Sequence, residues 1–221
     1  MNAPIRISAE RGSALFLAII LVLLLSAVGA VAMLAGQSET LLAANFRQGH
    51  EALYVADGAL QRAMKDLADL PDWTAVLSGV ATSTVVDGPA AGSKPVPGGG
   101  SVLLCCGASS LTEDLQSRGN AGGDWGANTP EWQIYAWGPA AGWLAADKIH
   151  SVFYAVVWVS DDVGDADGNP AADSNATVRV IALGIGPRGA RRAVHALVQR
   201  VQVTAGQPGR VRVVSWSESR W

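Results

Sequence analysis

Residues 161–173, DDVGDADGNPAAD, hold the densest set of oxygen ligands in the chain. Asp161, Asp162, Asp165, Asp167, Asn169 and Asp173 crowd one loop between two strand-like runs. Carboxylate and amide oxygens on a Gly-turned loop are hard ligands that suit Ca2+. Asp165-x-Asp167-Gly168-Asn169 has the spacing of the first half of an EF-hand loop. A full loop of that kind needs a bidentate Glu at its twelfth position, which from Asp165 is Ala176, so this is not an EF-hand. Two readings stay open: a Ca2+ site, or a solvated acidic turn.

The other reactive residue types are sparse. The only cysteines are adjacent, Cys105 and Cys106, which excludes CxxC metal sites. They can form a vicinal disulfide, pair between subunits or stay as thiols, and in no case do they staple distant elements. Gly184-x-Gly186-x-x-Gly189 matches a dinucleotide fingerprint in letters, but Pro187 interrupts it. No acidic residue follows about 20 positions on, and no preceding β-α unit exists. His50, His150 and His195 are scattered, with no HExxH or triad spacing, and no GxSxG elbow occurs. No catalytic residue is assigned and the chain reads as a non-enzyme. Arg188, Arg191 and Arg192 gather at a turn, yet the net charge of -3 gives polyanion binding no support, and no nucleic-acid partner is expected. That turn and the acidic loop can instead meet across a subunit interface and steer assembly.

The elements that must carry these residues follow from periodicity. The 221 residues allow one sizeable domain and an anchor. From Gly12 to Ser38 there is no charged residue. A helix over 13–36 is about 36 Å long, enough to cross a hydrocarbon core of about 30 Å. It is too long for the usual apolar core of a cleaved secretory signal, roughly 7–15 residues. Arg6 and Arg11 precede it, with Glu10 between, which places the N-terminus in the cytoplasm. Beyond the span, Leu42, Phe46, Gly49, Leu53, Ala56, Leu60, Ala63 and Leu67 recur at alternating four- and three-residue steps, one apolar stripe of a helix. Pro71 stops it. A single helix from Ser13 to Leu70, about 87 Å long, is expected, and its second half needs a globular partner.

A leader ending in Gly, a near-continuous apolar helix and an amphipathic continuation together resemble a type IV prepilin. RGSALFLAIILVLLLSAVGAVAML followed by ETLLAANFRQGHEALYVADGALQRAM is similar to the N-terminal region of PilX-like minor pilins, with Glu39, Ala44-Asn45 and ALYVADGALQRA at the recurring positions. The stretches WQIYAWGP, VVWVSDD and GPRGARRAV also resemble C-terminal halves of such proteins. The resemblance implies a prepilin peptidase that cuts between Gly12 and Ser13, methylation of the new N-terminus, and helix packing through Phe16, Leu17 and their neighbours. Many pilins carry Glu at the fifth mature position, where it pairs with a neighbour's amine; here that position is Leu17. Its loss fits a tip subunit and counts against a bulk filament subunit. The implied partners are other minor and major pilins, prepilin peptidase, the inner membrane and the pilus assembly machinery. A type II secretion minor pseudopilin and an unprocessed single-pass scaffold remain as alternatives.

After Pro71 the composition shifts. GPAAGSKPVPGGGS (88–101) contains three Pro and five Gly and reads as a loop. Residues 109–119 read as a short helix with a Ser110/Glu113 capping box and Gly119 at its C-terminal cap. Strand-like runs fill 131–137, 150–160, 176–186, 190–203 and 209–217. GPRG (186–189) suits a hairpin turn. Eight Trp against three Phe read as core and interface anchors. The expected fold is α+β and pilin-like, a long N-terminal helix packed on an antiparallel sheet of four or five strands. The expected divisions are leader 1–12, transmembrane part 13–36, amphipathic continuation 37–70, loop-rich region 71–130 and sheet head 131–221.

Overall fold

The computed structural model describes residues 11–121, 126, 129–143, 151–201 and 209–221. Arg6, Glu10 and His150 lie outside them. The chain divides into two units, one ending at Phe46 and the other running from Arg47 to Trp221.

One helix, α1 (Arg11–Asp69), enters both units. It contains no proline, and the chain leaves it two residues before Pro71. In the first unit its apolar side chains are unburied, and the span is long and apolar enough to cross a membrane. Leu42 and Phe46 continue the stripe but are exposed, so the covered part begins only at Gly49.

The second unit is α+β. A short α2 (Thr74–Leu77) follows α1, then β1 (Ser93–Pro95), β2 (Ser101–Leu103) and α3 (Leu111–Ala121). Five strands complete the chain: β3 (Gln133–Pro139), β4 (Tyr154–Asp161), β5 (Thr177–Ile185), β6 (Arg191–Val201) and β7 (Arg210–Arg220). They form an antiparallel meander in chain order, β3-β4-β5-β6-β7. The β5–β6 connection is the expected turn, a 3-10 turn over Pro187–Gly189 closed by the Gly186 N–H donating to Ala190 O at 2.8 Å.

The sheet is covered on both faces. Ala56, Leu60, Ala63 and Leu67 of α1 pack on Ala155, Val157, Val180, Ala182 and Val194. The alternate residues Tyr154, Val156, Trp158 and Leu183 pack on Val102, Leu104, Leu111 and Leu115, from β2 to α3. Every residue of β4 is therefore buried, where an antiparallel strand with one wet face would alternate. Trp158 marks the second face. Its Nε1–H donates to Thr112 Oγ1 at 2.8 Å and its ring stacks on Trp221 at 5.6 Å.

Three sequence expectations need correction. Residues 88–101 are not simply a loop, because β1 pairs antiparallel with β2 across their Gly-rich connection. Gly119 does not cap α3, which continues to Ala121; Gly119 sits against Trp132, where a Cβ would lie 3.2 Å from the indole nitrogen. Arg192 does not join Arg188 in a patch at the turn, since its guanidinium lies over Gly49 of α1.

The fingerprint glycines have packing reasons. A Cβ on Gly184 would fall 2.0 Å from the Ala52 carbonyl oxygen, because the backbone of α1 lies directly on β5 there. A Cβ on Gly186 would enter the Phe153 ring, and Gly189 has φ +75°.

Candidate functional site

The acidic loop leaves the end of β4 and re-enters the sheet at Thr177. Of its six candidate ligands the fold brings three together. Asp161, Asp165 and Asp167 each offer a carboxylate oxygen, and these oxygens lie within 4.8 Å of one another. Asp161 and Asp165 are each only 2 % exposed. Both carboxylate oxygens of Asp161 are buried without a hydrogen-bond partner. Burial pushes its carboxyl up to about 7; the nearby Asp162 backbone N–H, which falls short of hydrogen-bond geometry, lowers it in part, and the charges of Asp165, Asp162 and Asp167 add to the rise.

Asp165 is held differently. Ser174 donates to it through both its N–H (2.8 Å) and its Oγ, and the Asp167 N–H donates at 3.2 Å. Burial pushes the Asp165 carboxyl up, but these donors outweigh it and hold it below the ordinary carboxylate value. Ser174 was not singled out in the sequence; the repeated Asx spacing of the loop, which folds residue 174 back onto 165, is the signal that points to it.

The other three lie outside that group. Asp162 accepts from the Gly164 N–H at 2.9 Å and from Asn175 Nδ2 at 2.7 Å. Asn169 Oδ1 accepts from the Ala171 N–H at 3.2 Å. Asp173 accepts from the Thr177 N–H at 3.2 Å; burial raises its carboxyl, with partial relief from backbone donors and the charge of Arg200.

Cys105 and Cys106 are joined by a disulfide across neighbouring residues, with Cα atoms 3.8 Å apart, next to β2. It closes no loop. Ser13, Phe16 and Leu17 lie in the first turns of α1 with exposed side chains, and Gly12 lies in the same helix. Among the described residues of that unit, no second element covers Ser13, Phe16 and Leu17.

A groove of about 350 Å³ that sequence reading missed lies on the β5–β7 side of the sheet, lined by Trp132, Arg179, His195, Ser215 and Ser217. His195 Nε2 is 2.8 Å from Ser219 Oγ. A serine–histidine pair invites comparison with a nucleophile and its base, but the electrostatics oppose it. Burial and the positive charge of Arg179 both lower the His195 pKa, and among the described residues no carboxylate bonds to the ring. Arg179 stacks over Trp132 at 5.2 Å. The signal for this groove was the period-2 placement of Arg179 and His195 on one face of paired strands.

A helix whose apolar span is long enough to cross a membrane, continued by a face that packs on a five-stranded antiparallel sheet, is an α+β arrangement of pilin-like kind. Residues 11–61 match the PilX N-terminal family model. The match covers most of α1 and none of the sheet, and it supports a type IV pilin-like protein. No curated protein and no solved structure matches the chain.

Proposed function

We propose that this chain is a minor pilin of a type IV pilus, inserted in the bacterial inner membrane with its N-terminus in the cytoplasm and then assembled at or near the pilus tip. The observation that carries this reading is the match over residues 11–61 on a helix whose apolar span is unburied. A greasy surface of that length is stable only in lipid or against other such helices. In the first state it anchors the subunit; in the second it packs a filament through Phe16, Leu17 and their neighbours. Prepilin peptidase cuts between Gly12 and Ser13, and the new amine is methylated. Leu17 supplies no carboxylate to pair with a neighbour's amine, which suits a subunit that starts a filament. The protein acts by assembly with other pilins and the pilus machinery, without catalysis. A type II secretion minor pseudopilin would use the same helix and lack the same carboxylate.

The test is co-expression with an active prepilin peptidase, followed by intact mass of the membrane-extracted product. Loss of residues 1–12 with one added methyl is expected. An intact Met1 would leave an unprocessed anchored scaffold. Co-purification with pilus rather than secretion components then separates the two machines.

A further inference from the structure

We propose that the groove on the β5–β7 side of the sheet holds the carboxylate of a small hydroxylated acid, of the uronate kind, against Arg179. Strand register builds this groove. Arg179, Leu197 and Ser215 stand in one row across β5, β6 and β7, and Ile181, His195 and Ser217 stand in the next. Trp132 and Asp162 also line it. The deciding group is Arg179. It lies half-buried on β5, the middle strand of the five, and its guanidinium is set over the Trp132 ring at 5.2 Å. Among the described residues it has neither an ion pair nor a hydrogen-bond acceptor. Burial lowers its pKa, and the charge of Asp162 opposes that fall. Asp162 is not its partner, because it makes no ion pair with Arg179 and accepts instead from the Gly164 N–H and Asn175 Nδ2. A partly desolvated cation with no acceptor of its own favours an anion from outside.

The surroundings narrow the ligand. A guanidinium fork offers paired N–H donors that match the two oxygens of a carboxylate. One cation beside the charge of Asp162 suits a monoanion better than a dianion such as phosphate. The Ser215 and Ser217 hydroxyls line the same groove and have no hydrogen-bond partner among the described residues. A hydroxyl both donates and accepts, which is what hydroxyls on the ligand need. Ile181 and Leu197 offer apolar surface to the carbon face of a ring. His195 also lines the groove, but its Nε2 is taken by Ser219. The volume of about 350 Å³ lies at the small end of ligand sites, roughly 300–1,000 Å³, and suits a sugar-sized acid. The groove belongs to the head alone, so it stands or falls separately from the filament reading.

The test melts the full chain in detergent under Trp fluorescence, with sodium D-glucuronate or with sodium chloride at the same ionic strength. With the probe at ~20 times its Kd the melting temperature rises by roughly 4–7 °C. Glucose lacks the carboxylate and acetate lacks the hydroxyls, so each should give less than half of that rise. Arg179→Gln should fold and gain nothing from glucuronate. Ser217 is exposed on β7, so Ser217→Ala keeps the fold; it should lose at least half of the shift, and it decides the case should Arg179→Gln not fold. Arg188→Gln, in the β5–β6 turn outside the groove, should keep the whole shift. No shift in the wild-type chain, or an undiminished one in Arg179→Gln or Ser217→Ala, would overturn the site. An equal rise with glucose would overturn the carboxylate, and an equal rise with acetate would overturn the hydroxylated part of the ligand.

Discussion

Gly184→Ala adds one methyl at the point where α1 and β5 touch. The new Cβ would stand 2.0 Å from the Ala52 carbonyl oxygen and 2.9 Å from its carbon, whereas ordinary contact begins at 3.4 Å. Both partners are backbone, so no side-chain end can swing aside. Relief requires α1 and β5 to separate by about 1.4 Å. A radial gap of ~1 Å already forfeits a quarter to a half of each contact's attraction. Ala56, Leu60 and Ala63 would lose contact with Ala155, Val180 and Ala182 together. Overpacking of this kind costs about 3 kcal/mol or more, equivalent to a fall of roughly 6–12 °C for a domain of this size. Gly58→Ala is the control. Gly58 lies inside the same helix with nothing within 4 Å of a new Cβ, so it should gain about 0.5–1 kcal/mol from helix propensity. Urea unfolding of the detergent-solubilised chain, followed by Trp fluorescence, reads both. A loss under ~1 kcal/mol for Gly184→Ala, or the same sign for both variants, would refute the close approach.

Trp158→Ala should cost about 3–5 kcal/mol from the lost ring and the cavity, while Trp158→Phe, losing mainly the bond to Thr112, should cost about 1–2 kcal/mol in the same urea assay. His195 binds its proton more weakly when folded, owing to burial and then Arg179, so its contribution to stability is full above the unfolded value of 6.5 and falls as pH drops from there through the folded value. In His195→Gln this acid-side step should vanish from a melting curve taken between pH 7 and 4, and its persistence would remove His195 from the account. Reduction and alkylation should add two alkyl groups to the intact mass through Cys105 and Cys106, yet shift the urea midpoint little, because the bond between them closes no long loop.

The site residues divided along physical lines. The uncharged run and the stripe through Ala56, Leu60, Ala63 and Leu67 were legible because helical period is a local property of consecutive residues. The five strands were legible from β-branched and aromatic runs. The covering of the sheet's second face was not. Residues 71–108 look like punctuation and 109–119 like an isolated short helix, and only when Val102, Leu104, Leu111 and Leu115 meet Trp158 does their role emerge. The stripe also predicted cover for Leu42 and Phe46, which are exposed, since periodicity marks a face without saying where its partner ends.

By itself the sequence determined the long apolar span, the helix that continues it, the strand content and a loop crowded with carboxylates. Each depends on residue type and spacing within a short window. Tertiary structure decided which three of the six candidate ligands converge, that Asp161 is buried without a well-placed hydrogen-bond partner, and why Gly184 has no side chain. Those facts depend on how the folded chain brings residues together: Asp165 and Ser174 meet when the loop turns back on itself, and Ala52 and Gly184 become neighbours only when the sheet closes on the helix.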